Sequence, residues 1–120
     1  LVDDETDFRQ LMSFWMHSKG YMVIEASNGE DAVELARKEN PDIIFMDLNM
    51  PVMDGTDALL KIREFNKTVP VIIISAYVED KRAKEAMSAG ISGVFYKGKD
   101  FQEGLALLEA ALHTHRQLKK

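Results

Sequence analysis

Apolar residues along this chain follow two patterns that alternate: short continuous runs, and longer stretches with helical spacing. Ile43-Ile44-Phe45-Met46 and Val71-Ile72-Ile73-Ile74 are continuous and bounded by polar or turn-forming residues. Such runs read as strands buried on both faces. Pro41 and Pro51 leave too little chain between them for a helix at the first run. Val69-Pro70 opens the second, with proline at a strand mouth where a lost N–H is tolerated. Tyr21 to Ala26 and Gly93 to Lys97 read as two further strands. Leu1-Val2 is too short to stand alone, so a first strand clipped at its start is expected.

Helical spacing fills the gaps. Thr6 or Asp7 can cap a helix with Phe8, Leu11, Met12 and Trp15 on one face, ended by Gly20. After a Ser27-Asn28-Gly29 turn, Ala32, Val33, Leu35 and Ala36 mark a second helix, stopped at Asn40-Pro41. Gly55 opens a third, with Leu59, Leu60 and Ile62 inward, ending near Asn66. Ala83, Ala86 and Met87 mark a fourth, closed by Ala89-Gly90. Asp100 and Glu103 form a capping box for a last helix carrying Phe101, Leu105, Leu108 and Leu112. Five strand–helix repeats without a linker predict one α/β domain over residues 1–120, a parallel sheet covered by helices on both faces. Right-handed crossovers then bring every strand's carboxyl end to one rim, where ligands bind in open α/β sheets.

Composition narrows the function classes. A length of 120 residues suits a single core. The net charge of −5 argues against direct nucleic-acid binding, and no apolar run reaches membrane-spanning length. Cysteine is absent, which excludes thiolate chemistry and suits a cytoplasmic location. The methionines and Trp15 are most simply core filling. His113 and His115, two apart on a helix, face different sides, which argues against a metal pair.

At the predicted rim Asp3-Asp4, Asp47, Ser75 and Lys97 each end a different strand. Carboxylates gathered in one pocket repel, so they need a cation or raised pKa values. Oxygen donors without His or Cys favour a hard cation such as Mg²⁺. Lys97 can pair with Asp47 or with an incoming anion, and Ser75 offers a hydroxyl. The set suits phosphoryl transfer to a carboxylate, with Asp47 as nucleophile and Mg²⁺ and Lys97 offsetting charge on the phosphoryl oxygens.

Several motifs stand in register: Val2-Asp3-Asp4-Glu5, Gly20-Tyr21, Asn28-Gly29-Glu30-Asp31-Ala32, Pro41-Asp42-Ile43-Ile44, Met46-Asp47-Leu48-Asn49-Met50-Pro51-Val52-Met53-Asp54-Gly55, Pro70-Val71-Ile72, Ser75-Ala76 and Lys97. On them the chain resembles the receiver domains of bacterial two-component response regulators, a CheY-like family. The resemblance implies a flavodoxin-like (βα)5 fold with strand order 2-1-3-4-5. It implies that Asp47 accepts phosphate from the phosphohistidine of a sensor histidine kinase or phosphotransfer protein. It implies Mg²⁺, with Mn²⁺ as a substitute, on Asp4, Asp47 and the backbone carbonyl of Asn49, with Asp3 acting largely through water. Ser75 would be the switch hydroxyl and Lys97 the family's lysine. The output would be a protein-interaction surface for a downstream target or effector domain, so the chain is a signalling phosphoprotein, not an enzyme. Dimerisation stays open, as does whether the chain is free-standing or part of a longer regulator or hybrid kinase.

Departures from the family pattern mark further positions. Gly98 follows Lys97 where members usually carry proline, often with a cis bond. Without proline a cis bond costs about 2.5–4 kcal/mol, so the geometry of Lys97-Gly98 is left open. Val94 stands where many members have a rotating aromatic, and Tyr77, beyond Ser75 and Ala76, is placed to overhang the rim. Two other functions fit parts of the pattern: a receiver-like scaffold independent of phosphate, motivated by Gly98 and Val94, and a small-molecule phosphohydrolase using Asp47 covalently. The second lacks an additional acid for general catalysis.

Overall fold

The structure is a computed structural model that describes residues 1–50, 52–76 and 86–118, with the backbone alone for 115–118. Both continuous apolar runs are strands: β1, Ile44–Asp47, and β2, Val71–Ser75, buried at every position. Gly93–Tyr96 forms β3. The sheet is parallel in the order β1-β2-β3, with Asp47 opposite Ile74 and Ser75 opposite Tyr96.

The two remaining expected strands shrink to single bridges, Val2 to Ala26 and Val2 to Met46, both parallel. Their hydrogen bonds still extend the sheet. The Val2 amide donates to the Phe45 carbonyl at 2.8 Å, the Asp47 amide to Val2 at 2.9 Å, and the Asp3 amide to Ala26 at 3.1 Å. Residues 24–26 therefore lie outside residues 1–3, which lie outside β1, and the spatial order is the expected 2-1-3-4-5. Residues 21–25 lie at the sheet edge and carry no ladder, the pairing there being confined to the Val2–Ala26 bridge; Met22 is 92% exposed.

Helices α1, Thr6–Ser18, α2, Gly29–Glu39, α3, Gly55–Phe65, and α4, Phe101–Leu118, cover both faces. Alternate strand residues sort into two cores, as the period of two requires. Met12 and Met16 of α1 and Leu108 and Ala111 of α4 pack with Phe45, Ile72, Ile74 and Phe95. On the other face Ala32 and Ala36 of α2 and Ala58, Leu59 and Ile62 of α3 pack with Ile44, Met46, Val71 and Ile73. Each fully buried isoleucine in this sheet contributes roughly 2–3 kcal/mol of burial free energy.

Helix ends follow local chemistry. Asn28 caps α2 by accepting from the Asp31 amide at 2.8 Å, and Asp54 caps α3 by accepting from Asp57 at 2.9 Å. Asn40 ends α2 in the left-handed region, φ 47°. Three expectations are corrected. Helix α1 starts one residue early, at an N-cap of Glu5 whose side chain makes no capping bond. Leu11 and Leu60, expected inward, are 61% and 52% exposed, because Met12, Met16, Leu59 and Ile62 already fill the inner stripes. The Asp100 carboxylate accepts from the Gln102 amide, one residue earlier than a capping box places it. Residues 86–88 are helical, with Ala86 buried and Met87 exposed, whereas Ala83 lies outside the described residues.

Between β1 and α3 the chain passes through Val52 at φ 69°. A β-branched residue is strained in that region, and Val52 is 79% exposed, so no packing compensates. Val52→Gly is expected to stabilise the fold by about 1 kcal/mol, read as a higher urea midpoint at unchanged slope.

Candidate functional site

The site is built by backbone pairing at the carboxyl edge of the sheet. The two bridges at Val2 fix the strand direction just before Asp3-Asp4. Asp47 ends β1 and Ser75 ends β2; Lys97 follows β3, its amide donating to the Ser75 carbonyl at 2.8 Å. Asp3 and Asp47 are buried, at 0% and 4% exposure, while Asp4 is exposed. One carboxylate oxygen from each of Asp3, Asp4 and Asp47 lies within 4.8 Å of the others.

The Lys97 ammonium closes this pocket. It lies 3.0 Å from Asp3 Oδ2, 3.2 Å from Asp3 Oδ1, 3.5 Å from Asp47 Oδ2 and 2.5 Å from Glu5 Oε1. The Phe8 ring of α1 sits 4.9 Å from it, a cation–π distance. Phe8 in turn meets Phe101 of α4 edge-on at 6.0 Å, and Phe101 also meets Trp15 and Phe95. Asp3 Oδ1 also accepts from the Glu5 amide at 2.8 Å, and Asp47 Oδ1 accepts from the Asn49 amide at 3.1 Å. Arg9 holds the loop from behind, donating to the Asp3 carbonyl at 2.7 Å while its Nε pairs with Glu25 at 3.0 Å.

The electrostatics are unbalanced. Asp3, Asp47 and Glu5 face one ammonium, and the Asp4 carboxylate stands beside the two buried aspartates. Burial, with the Asp3 charge beside it, pushes the Asp47 carboxyl up to about 7, against the Asn49 amide and Lys97, which pull it down. Burial alone would lower Lys97, but hydrogen bonds to Glu5 and Asp3 and the neighbouring carboxylate charges hold it above its ordinary value. Asp3 Oδ2 has the ammonium at 3.0 Å yet accepts no directed hydrogen bond. A buried carboxylate oxygen left this way, in an all-oxygen cluster with surplus negative charge, fits a hard divalent cation.

Gly55 shapes the back of the pocket. A Cβ there would lie 2.2 Å from the Asp47 carbonyl oxygen and 2.8 Å from the Leu48 Cα, and the Gly55 amide donates to Leu48 at 3.0 Å. Gly29 stands in the same relation to Met53, whose carbonyl oxygen would be 2.2 Å from its Cβ.

The structure thus brings together Asp3, Asp4, Asp47 and Lys97, with Ser75 buried on the adjoining strand end. Asn49 contributes its amide to Asp47. Val94 is half-buried on β3 and packs into the core on the α2/α3 face, and Ala76 is exposed beyond Ser75. Tyr77 lies outside the described residues. No cis peptide bond occurs among the described residues, so Lys97-Gly98 is trans, with Gly98 at φ +91°. Sequence reasoning missed Glu5, Arg9 and Gly55. The signal for Glu5 was a third acid beside an aspartate pair; that for Gly55 was a glycine at a helix start already capped by Asp54.

Residues 1–109 match the family described as response regulator receiver domain. The chain is 34% identical over 103 residues to the chemotaxis protein CheY of Halobacterium salinarum, covering 86% of this chain and 84% of that one. It is 33% identical over 120 residues to the regulatory protein AtoC of Escherichia coli, covering 100% of this chain but 26% of AtoC, so it spans about a quarter of that relative. Among solved structures it is similar to chemotaxis protein CheY4 of Vibrio cholerae, with TM-score 0.86, 28% identity, and 92% and 93% of the two chains covered.

Proposed function

This chain belongs to the response regulator receiver domain family of two-component signal transduction, and on that premise we propose that Asp47 is its phosphoacceptor. Domains of this family are signalling phosphoproteins that work with histidine kinases and effector domains. In the proposed reaction a carboxylate oxygen of Asp47 attacks the phosphorus of a phosphohistidine on a kinase or phosphotransfer protein. The O–P bond forms as the N–P bond breaks, and the departing imidazole nitrogen keeps the bonding pair and takes a proton from solvent. Asp47 has to be ionised to attack, and the Asn49 amide and Lys97 ammonium favour that form.

Asp3, Asp4, Asp47 and the Asn49 carbonyl would hold Mg²⁺ or Mn²⁺, which supplies positive charge against the phosphoryl oxygens. Lys97 would pair with a second phosphoryl oxygen, and the Ser75 hydroxyl would bond a third. Because the Lys97 amide is bonded to the Ser75 carbonyl, the two would move together. The chain around Ala76, Tyr77 and Val94 would carry the change to a downstream target or effector domain.

The observation behind this reading is the convergence of three aspartates and a lysine from three separate segments on one rim of the sheet. Intact mass spectrometry after incubation with acetyl phosphate and Mg²⁺ tests it. The expected result is addition of one phosphoryl group, removable by hydroxylamine as an acyl phosphate is. A mass that stays unchanged over hours at saturating phosphodonor overturns the proposal.

A further inference from the structure

Lysine has three N–H donors, and in this structure three carboxylates face them: Asp3, Asp47 and Glu5. The shortest of these contacts, 2.5 Å, is to Glu5 and not to either buried aspartate. Glu5 occupies the N-cap of α1, where a short polar side chain would bond the helix amides, yet its carboxylate makes no capping bond and reaches to Lys97 instead. Its side chain is 62% exposed, against 0% for Asp3 and 5% for Asp47.

Resting on the reading of Asp47 as phosphoacceptor, we propose that Glu5 is a positioning residue that holds the Lys97 ammonium in a resting position and must release it when the phosphoryl group arrives. A phosphoryl oxygen can reach the ammonium only by displacing one of its present partners. Separating Lys97 from Asp3 or Asp47 strands a charge in a buried place, which is costly. Separating it from Glu5 returns an exposed carboxylate to water at little cost. Glu5 is therefore the partner that leaves, and its contact with Lys97 opposes phosphoryl capture. The same carboxylate also adds a negative charge at the pocket mouth, which the incoming anion meets.

The test compares wild type with Glu5→Gln, which keeps the shape and removes the charge, and with Glu5→Asp, which keeps the charge on a shorter stem. Beryllofluoride titration at saturating Mg²⁺ and the rate of mass gain from acetyl phosphate are both read, with the urea midpoint as a control on folding. An exposed ion pair of ordinary strength corresponds to about two- to fivefold, so Glu5→Gln is expected to bind beryllofluoride and take up phosphate faster or tighter by that factor. Glu5→Asp is expected to lie between the two, and the urea midpoint of Glu5→Gln is expected to drop by no more than the loss of one exposed ion pair. Glu5→Gln equal to or weaker than a phosphorylatable wild type overturns the role of Glu5 and leaves the acceptor reading intact. A wild type that takes up neither beryllofluoride nor phosphate removes the acceptor reading and this inference with it.

Discussion

Asp47→Asn will take up no phosphoryl group from acetyl phosphate, and in magnesium-free buffer it will unfold at higher urea than the wild type. The two effects share a cause. The folded protein holds the Asp47 carboxyl at about 7 in place of the ordinary 3.8, so its ionised form is disfavoured by folding. A group raised in the folded state contributes its stability below the unfolded value and loses it as pH climbs through the folded one. Wild-type stability is therefore expected to fall between about pH 4 and pH 7 and then level off, while Asp47→Asn lacks this fall. Full burial would give about 4 kcal/mol for a rise from 3.8 to about 7; solvent at the pocket mouth reduces the expected gap to about 2 kcal/mol. Asparagine can keep the bond from the Asn49 amide, and Lys97 retains Asp3 and Glu5, so the substitution leaves no unpaired ammonium. Urea titrations of both proteins at pH 5 and pH 8 check the sign. A gap that fails to widen at pH 8, or that persists undiminished when Mg²⁺ is added, contradicts the account.

Gly55→Ala will destabilise the protein by about 3 kcal/mol and slow phosphoryl uptake on the order of 100-fold. Helix propensity by itself predicts the opposite sign, since alanine in a helix is favoured over glycine by about 1 kcal/mol. Steric contact decides the outcome. The added carbon would stand 2.2 Å from the Asp47 carbonyl oxygen, and that neighbour is backbone, which has no alternative rotamer. Relief requires β1 or the start of α3 to shift, and either movement displaces the Asp47 carboxylate from its place beside Lys97. Urea midpoints give the stability change, and the rate of mass gain with acetyl phosphate gives the second effect. A gain in stability would show that the loop at residues 48–54 yields to the methyl group.

Most of the fold was readable because the chain's periodicities are clean. Continuous apolar runs gave β1 and β2 to within two residues at either end, since burial on both faces leaves no other pattern. The outer segments were harder. Tyr21 to Ala26 has strand composition, but composition does not say how many residues pair, and only Ala26 bridges to Val2. Leu11 and Leu60 show the limit of counting apolar positions: a helix stripe holds a fixed number of side chains, and sequence does not say which spare leucine stays outside. At the rim, Asp3, Asp4, Asp47 and Lys97 were legible because parallel topology turns strand ends into neighbours. Glu5 was not, because its part depends on which way one exposed side chain turns. Gly55 was hidden for a different reason, a backbone approach that leaves no mark on hydropathy.

The wall behind Asp47 is peptide against peptide where α3 meets β1 at Gly55, and α2 approaches Met53 of the intervening loop as closely at Gly29. Such a wall has little give, whereas the opposite side of the pocket is lined by a long amine and a flexible glutamate. A bulky tetrahedral group joined to the acceptor must therefore push outward, toward β2 and β3. The stiffness of two glycine contacts would give the domain's response its direction.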